Sequence, residues 1–437
     1  MDEARSTDDE TPRRMSHVLF VSRQFPHDMP RSVHGVYIRM RLFLDALKAS
    51  ADTMEMLFYV EPGVDASPEA MRRAADNLSA AWGIQAKVTL CPVEPAPDRE
   101  SFWDHYLRPA TNFFRQALVA GTSGPHQLAA FEAALERCPD AIFVHRLDAM
   151  PPALLTRRPL PPLYLDLDDI EHVRWIREIR QPPFWRAKPL YYLQVPSLVC
   201  GERQAIKLSR RAFVCSDLDR RYLARRWRLP QAMTIPNAVA IPSSYASGSA
   251  AKTMLFLATY AYGPNIKAAE FLINDVWPLV RKLRPDAHLI IAGNKPERLP
   301  SYAMSPAGVE FTGFVEDLEE LYPRVRIVCC PILSGGGTRL KILEAAAHGK
   351  AIVSTRLGAE GLDLRDGREI ILRDGGPAFA QACADLLGDA SRCEALGLAA
   401  REVVADRYDR RQIVERIREE IKLAKNASTG SSRVCTL

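Results

Sequence analysis

Short hydrophobic runs alternate along this chain with longer segments of helical periodicity. The runs are rich in Val, Ile, Leu and Phe, and Gly or Pro residues separate them from the helical segments. This alternation is typical of a parallel sheet with helices on both faces. A helix is predicted over residues 36–48. The predicted strands of the first half are 17–22, 54–60, 88–91, 141–145, 163–167 and 212–215.

The same pattern begins again in the second half, after a stretch at 232–245 whose Pro and Ser residues indicate a linker. We therefore expect an α/β chain with two doubly wound domains that face each other across a cleft. Predicted helices cover 265–283, 317–322 and 335–347. Predicted strands are 254–258, 288–292, 309–312, 327–331, 351–354 and 369–372. The expected boundaries are a disordered tail at 1–15, a domain at 16–235, a linker at 236–252, a domain at 253–407, a final helix at 408–425 and a tail at 426–437.

Residues 334–349 carry the strongest chemical signal, Ser-Gly-Gly-Gly-Thr-Arg-Leu-Lys-Ile-Leu-Glu-Ala-Ala-Ala-His-Gly. We expect Gly335–Gly337 to open a helix, where unshielded backbone N–H groups bind anions. Arg339 and Lys341 add positive charge, and Glu344 shares the helix face of Lys341. A carboxylate accepts hydrogen bonds from sugar hydroxyls and repels phosphate. The motif therefore suits a ligand that has both a phosphate and sugar hydroxyl groups. The alternative to ligand binding is an amphipathic helix with a surface ion pair.

Composition excludes several classes of protein. Hydrophobic residues make up 47% of the 437 residues and charged residues 25%, as in ordinary globular domains. We expect no membrane span, no secretory signal and no structural zinc site, since the nine cysteines form no C-x-x-C pair. No G-x-G-x-x-G sequence follows the first predicted strand, which argues against a dinucleotide cofactor.

The positive charge is concentrated in one segment. Residues 171–228 contain fourteen Lys or Arg against five Asp or Glu, with aromatic residues between them. Solvated helix faces are one explanation, and a surface for anionic lipid or an anionic acceptor is the other. No recognised nucleic-acid module is present, so nucleic acid is not expected as a partner.

The second half resembles the donor domain of GT-B glycosyltransferases of the large retaining group often called family 4, in the subgroup with a G-G-G-T-R-L-K-x-L-E-A motif. Weaker matches in the first half are Asp166–Glu171, Val214–Asp217 and Ile235–Asn237. The residues that carry the resemblance lie, in the family's order, in the segments 262–265, 290–293, 309–315, 331–349 and 352–361.

The resemblance implies a role for several residues. Glu344 matches the second glutamate of the family's E-x7-E motif, which binds the nucleotide ribose, and Lys341 is the best candidate to neutralise the diphosphate. The first glutamate is replaced by Gly336, whose backbone N–H would hold sugar or phosphate. Gly35 matches the loop through which the first domain approaches the phosphates. The other implied donor-binding positions are Gly335, Gly337, Thr338, Arg339, Asn265 and Gly358.

Two first-domain residues are further catalytic candidates. Asp168 lies where many relatives have histidine in a D-x-H-D pattern, near the donor sugar. His145 ends a predicted strand, and a structural hydrogen bond is its alternative role. The family also implies that the helix at 408–425 crosses back onto the first domain.

The resemblance implies transfer of a sugar, with retention, from a nucleotide-diphosphate sugar to a saccharide or lipid-linked saccharide in surface polysaccharide or glycoconjugate synthesis. No cofactor and no metal ion are expected. The expected location is the cytoplasm, with peripheral attachment to the anionic inner face of the plasma membrane as an option. A sugar-nucleotide epimerase and a degenerate, non-catalytic scaffold are the alternatives.

Overall fold

Two parallel sheets, each covered by helices, form the structure, which is a computed structural model describing residues 15–27, 35–94, 101–245 and 251–426. The α/β fold predicted from the alternating pattern is confirmed. The predicted tails at 1–15 and 426–437 lie outside the described residues, apart from one residue of each.

The described residues of the first domain form seven parallel strands. They are β1 (Met15–Ser22), β2 (Ala51–Val60), β3 (Lys87–Pro92), β4 (Ala141–His145), β5 (Leu163–Asp168), β6 (Arg211–Val214) and β7 (Ala232–Thr234). Their order in the sheet is β3-β2-β1-β4-β5-β6-β7. The helices are α1 (Gly35–Ser50), α2 (Pro68–Trp82), α3 (Arg108–Thr111), α4 (Pro125–Leu135), α5 (Pro151–Leu155), α6 (Glu171–Ile179), α7 (Val195–Leu208) and α8 (Asp217–Trp227).

Six parallel strands are present in the described part of the second domain. They are β8 (Thr253–Leu257), β9 (His288–Ala292), β10 (Val309–Gly313), β11 (Ile327–Cys330), β12 (Ala351–Ser354) and β13 (Ile371–Leu372), in the order β10-β9-β8-β11-β12-β13. The helices are α9 (Gly263–Phe271), α10 (Trp277–Leu283), α11 (Leu318–Leu321), α12 (Leu340–Ala347), α13 (Gly376–Gly388), α14 (Ala390–Arg407) and α15 (Arg410–Asn426). In both sheets the order reverses beside the first strand, and ligands bind at such switch points.

Three predicted elements were wrong in detail. The motif helix begins at Leu340 instead of residue 335, because Gly335 and Gly337 have φ angles of +102° and +69°, which no right-handed helix contains. Residues 232–234, assigned to the linker, form β7. The helix predicted over 265–283 is α9 and α10 joined by a π-helical turn.

The last helix, α15, packs on the first domain although it follows the second in the sequence. Ile413, Ile417 and Ile421 lie in the core that α1 and the first sheet form. The Tyr164 hydroxyl donates to the Ile421 carbonyl at 3.2 Å, and Arg410 pairs with Asp45. This helix therefore ties the end of the chain to the first domain. Among the helices of the described residues, none combines the length and apolarity that a membrane span requires.

Removing the Ile417 side chain tests this packing. Ile417 is fully buried, so Ile417→Ala leaves a cavity and costs about 2–5 kcal/mol of unfolding free energy. Arg416→Ala, on the exposed face of α15, is the matched control. Urea unfolding of both variants measures the difference, and equal midpoints would contradict the packing.

Candidate functional site

The floor of the cleft is a buried ion pair at the carboxyl ends of the first sheet. Arg39 of α1 forms a bidentate pair with Asp166 of β5, with its Nε and Nη2 atoms 2.7–3.0 Å from the carboxylate oxygens. Its Nη1 donates to the Ile235 carbonyl at 2.9 Å and to Asn237 Oδ1 at 3.3 Å. Burial raises the pKa of Asp166 to about 6, and Arg39 opposes that rise. The ion pair thus fixes α1, β5 and the crossing to the second domain.

His145 belongs to this floor and does not reach the cleft surface. Its side chain is buried, and Nδ1 lies 3.0 Å from Ser22 Oγ. Burial, followed by the charges of Arg146 and Arg39, lowers the pKa of His145 well below its ordinary value. The imidazole is therefore neutral, and the geometry favours the structural alternative over the catalytic one.

Asp168 ends β5 on the side that faces the second domain, and Asp169 follows it directly. Asp168 has a φ of +59°. Its carboxylate lies 3.3 Å from Arg39 Nε and 3.4 Å from Arg146 Nη1. Asp169 continues across the cleft, where a Cβ built on Gly337 would lie 2.4 Å from its Oδ1. Asp168 is therefore held by two arginines, and its neighbour reaches the motif loop.

The glycines of the motif form a loop before α12, so their amides do not belong to a helix N-terminus. Arg339 curls back and donates to the Gly337 carbonyl at 2.8 Å and to the Gly336 carbonyl. Asn237 Nδ2 donates to Thr338 Oγ1 at 2.8 Å. Arg339 and Thr338 therefore shape the loop. Within the part of the chain that the structure describes, the N–H groups of Gly336 and Gly337 have no acceptor.

Lys341 is a partly buried cation without a carboxylate partner among the described residues. Its Nζ donates to Asn265 Oδ1 at 3.1 Å and lies 4.4 Å from the centre of the Phe256 ring. Asn265 in turn donates to the Thr259 carbonyl at 2.9 Å, so the amide is oriented toward the lysine. Burial lowers the pKa of Lys341 to about 8. An anion beside it would restore the charged form.

Glu344 lies one turn further along α12. Burial raises the pKa of its carboxyl group, and the charge of Lys341 opposes that rise. The carboxylate makes no hydrogen bond or ion pair with any residue that the structure describes, so no Lys341–Glu344 ion pair forms within 4.0 Å. A carboxylate in this state is ready to accept hydrogen bonds from a ligand.

The two remaining predicted glycines have different positions. Gly35, at the start of α1, faces the second domain, and a Cβ there would lie 3.3 Å from Leu340 Cδ1. Gly358 is buried, its N–H donates to Thr355 Oγ1 at 2.9 Å, and a Cβ would lie 2.6 Å from the Cys330 carbonyl oxygen. Gly35 therefore borders the cleft, and close packing accounts for Gly358.

Sequence reasoning missed the residues that join the two domains. Arg177 of α6 forms a bidentate pair with Glu360, at 2.6 and 2.9 Å. Asp169 and Asn237 lie in segments that carry the family resemblance, but the sequence indicated no role for either residue. For Arg39 the sequence offers one signal, because a charged residue stands among the apolar residues of α1 that become buried. The sequence does not show which of these residues meet across the two domains, because the folded structure brings them together.

Part of the chain matches a known protein family. Residues 251–389 match the family model described as "Glycosyl transferases group 1". A phosphatidyl-myo-inositol mannosyltransferase of Mycobacterium leprae is 27% identical over 231 residues, which are 48% of this chain and 59% of the relative. The chain spans about half the length of the curated relatives it matches.

Two solved structures are similar along nearly the whole chain. Sucrose-phosphate synthase of Thermosynechococcus elongatus has a TM-score of 0.67 at 15% identity, covering 94% of this chain and 100% of the other. HepE of Anabaena, solved in complex with UDP-glucose, has a TM-score of 0.60 at 13% identity, covering 93% and 99%. The fold is GT-B. In this fold the two sheets face each other, with the site described above between them.

The Arg39–Asp166 pair gives a direct test of the cleft floor. Arg39→Met leaves a buried carboxylate without its partner and costs about 3–5 kcal/mol of unfolding free energy. The double variant Arg39→Met/Asp166→Leu recovers most of that loss, because an apolar pair replaces the ions. Arg41→Met, at an exposed position of the same helix, is the control. Urea unfolding distinguishes them, and a double variant no more stable than the single one would refute the account.

Proposed function

We propose that the protein is a glycosyltransferase that moves a sugar from a nucleoside-diphosphate sugar to a saccharide or lipid-linked acceptor. The observation that carries the proposal is the pair of Lys341 and Glu344 on α12. One cation and one carboxylate lie on the same helix, each without a partner of opposite charge in the described structure. A diphosphate and a ribose supply the two missing partners, and the match to group 1 glycosyl transferases covers this helix.

Lys341 has the chemical role of stabilising the leaving group. When the bond between the anomeric carbon and the diphosphate oxygen breaks, negative charge grows on the diphosphate. The Lys341 ammonium and the N–H groups of Gly336 and Gly337 stabilise that charge. Glu344 accepts hydrogen bonds from the ribose hydroxyls and orients the nucleotide.

The transfer proceeds with retention in this proposal. The acceptor oxygen bonds to the anomeric carbon from the face that the diphosphate leaves, and the departing phosphate oxygen takes the acceptor proton. Among the carboxylates of the floor, Asp166 and Asp168 are held by arginines and are poor nucleophiles. The proposal needs no metal ion. The similar HepE structure contains UDP-glucose, and the M. leprae relative is named a mannosyltransferase, which makes UDP-glucose and the nucleoside-diphosphate mannoses the first donors to test.

Replacing Lys341 and Glu344 tests the site. Lys341→Met and Glu344→Gln are each expected to lower turnover of the best nucleotide sugar in a panel by about 100- to 1,000-fold. Lys341→Met also raises the melting temperature, since an unpaired cation leaves a partly buried position. Wild-type donor binding weakens as pH rises through about 8, because the ammonium loses its proton, and the Met variant loses this dependence. Calorimetry and donor hydrolysis measure these effects, with and without EDTA.

The control is Lys282→Met, an exposed position of the second domain. Wild-type turnover in Lys341→Met would refute the assignment. A wild-type protein that binds no nucleoside diphosphate would favour the scaffold alternative, and epimerised nucleotide sugar formed without acceptor would favour the epimerase.

We also propose that an aromatic surface of the first domain rests on an anionic membrane. Its exposed side chains include Trp103, which is 65% exposed, and Phe184, which is 70% exposed. Two exposed cations lie beside these rings, since Arg180 Nε donates to the Tyr192 hydroxyl at 3.4 Å and Arg186 follows Trp185 in the chain. Aromatic rings beside cations suit the interface of an anionic bilayer. The surface consists of Phe102, Trp103, Phe184, Trp185, Tyr192 and Leu193.

This aromatic surface lies close to the cleft. Helix α6 runs from the Asp169 side toward it over about 14 Å. Lys267 of the second domain donates to the Pro182 carbonyl at 2.7 Å, beside Phe184. An acceptor anchored in a bilayer under this surface would therefore have a short path to the donor.

Vesicle sedimentation tests the membrane proposal. Trp103→Ser/Phe184→Ser is expected to lower binding to anionic vesicles by about tenfold or more, since both side chains lose their apolar contact. Met304→Ser, which replaces a 64% exposed residue of the second domain, is the control. Binding should also fall with salt. Equal binding to neutral and anionic vesicles would contradict the proposal.

A further inference from the structure

Three hydrogen-bonded side chains lie outside the cleft, where α6, α7 and α8 meet. Glu202 of α7 is fully buried, and its Oε2 accepts a hydrogen bond from Nδ1 of His172 on α6. Nε2 of His172 lies 2.8 Å from the hydroxyl of Tyr222 on α8. The sugar transfer proposed above uses none of these groups. They form an ordered series that runs from a buried carboxylate, through an imidazole, to a hydroxyl on a surface helix.

The buried carboxylate fixes the orientation of the imidazole. An ionised carboxylate only accepts hydrogen bonds, so Nδ1 carries the ring proton and the Nε2 lone pair is directed at Tyr222. Glu202 Oε1 also accepts from the backbone N–H of Glu171 at 2.7 Å, which holds the carboxylate in place. The Trp227 ring packs against His172, with 5.2 Å between the ring centres. A proton acceptor is therefore held in hydrogen-bond contact with the phenol.

Tyr222 is accessible, and its hydroxyl needs a base in order to react. The residue is 38% exposed, so a reagent in solvent can reach it. Burial of the remainder, followed by the Glu202 charge, raises the pKa of Tyr222, so the phenol is neutral at neutral pH. A neutral phenol becomes an effective nucleophile when an adjacent base takes its proton as the new bond forms. Nε2 of His172 is such a base, and Glu202 stabilises the resulting imidazolium.

Two cations on α8 select the kind of group that this hydroxyl attacks. Arg225 and Arg226 follow Tyr222 by three and four residues, so they share its side of the helix. Both are exposed, and neither forms an ion pair or hydrogen bond with any residue that the structure describes. The charge of Arg226 opposes the rise in the pKa of Tyr222, which shows that it acts on the phenol. Guanidinium groups bind phosphate oxygens well, so these surroundings favour a phosphoryl group over an uncharged acyl group.

We propose that Tyr222 is a phosphorylation site at which His172 acts as the general base. Glu202 is the positioning residue, and Arg226 binds the phosphoryl oxygens. The phosphoryl donor is a small acyl phosphate, which reaches an exposed hydroxyl without a binding pocket of its own. The Tyr222 oxygen forms a bond to phosphorus, the bond from phosphorus to the acyl oxygen breaks, and a carboxylate leaves with the electron pair. The phenol proton passes to His172 Nε2 and from there to water.

The test treats the full chain with acetyl phosphate and measures phosphate at each tyrosine by mass spectrometry of its peptides. Tyr302 is the internal control, because it is 42% exposed and its hydroxyl has no hydrogen-bond partner among the described residues. Tyr222 is expected to react at least about tenfold faster than Tyr302, because only Tyr222 has a general base. His172→Gln should bring the Tyr222 rate to within about twofold of the Tyr302 rate, and Glu202→Gln should lower it by about tenfold.

Variants at exposed positions keep the test independent of the buried groups. Tyr222→Phe should remove the phosphate from its peptide, and phosphate that remains there would overturn the assignment. Arg226→Met should lower the Tyr222 rate by about twofold or more, since a cation beside the phosphoryl group is lost. Arg203→Met, at an exposed position of α7, is the matched control and should leave the rate unchanged.

Two results in the wild-type protein would overturn the inference without any variant. Equal rates at Tyr222 and Tyr302 would show that the hydroxyl is not activated. Reaction of Tyr222 with 4-nitrophenyl acetate but not with acetyl phosphate would show that its electrophile is an uncharged acyl group. Neither result affects the proposed sugar transfer, because that reaction depends on Lys341 and Glu344.

Discussion

The buried pair of Arg39 and Asp166 is the interaction on which the rest of the cleft depends. Both groups are far from water, and each alone would be strongly destabilising. Together they fix α1 against the end of β5, and the remaining guanidinium nitrogen donates to Ile235 and Asn237, in the segment after β7 that crosses to the second domain. Asn237 then donates to Thr338 beside the glycine loop. A continuous set of hydrogen bonds therefore joins the first sheet to the glycine loop of the second domain.

Paired and unpaired charges have different places in this cleft. The floor pairs its carboxylates with arginines, which gives it rigidity. The groups above it, namely Lys341, Glu344 and Asp169, form no ion pair with any residue that the structure describes, and burial shifts the pKa of each toward the value that favours its neutral form. Such perturbed groups in a cleft are typical of functional sites. The donor that we propose, a nucleoside-diphosphate sugar, has an anion that would pair with Lys341 and ribose hydroxyls that would donate to Glu344.

The sequence predicted the sheets well because their buried strands are continuous apolar runs, and it placed Lys341 and Glu344 on one helix because their helical spacing is local. The roles of these two residues stay predictions. The predicted start of α12 was wrong, because three glycines are compatible with either a loop or a helix start. The positive φ angles of Gly335 and Gly337, which decide for the loop, are visible only in the structure. The sequence could not show that Asp169 meets Gly337, since that contact depends on how two separately folded sheets face each other. The buried state of His145 was undecidable for the same reason.

The most direct measurement of the central claim is a crystal structure of the protein with the nucleoside diphosphate, UDP or GDP, that binds it more tightly. We expect a diphosphate within hydrogen-bond distance of Lys341 Nζ and of the N–H groups of the glycine loop, with the ribose hydroxyls donating to Glu344. A nucleotide bound away from α12, with Lys341 still bonded to Asn265 and Glu344 without contact, would contradict it.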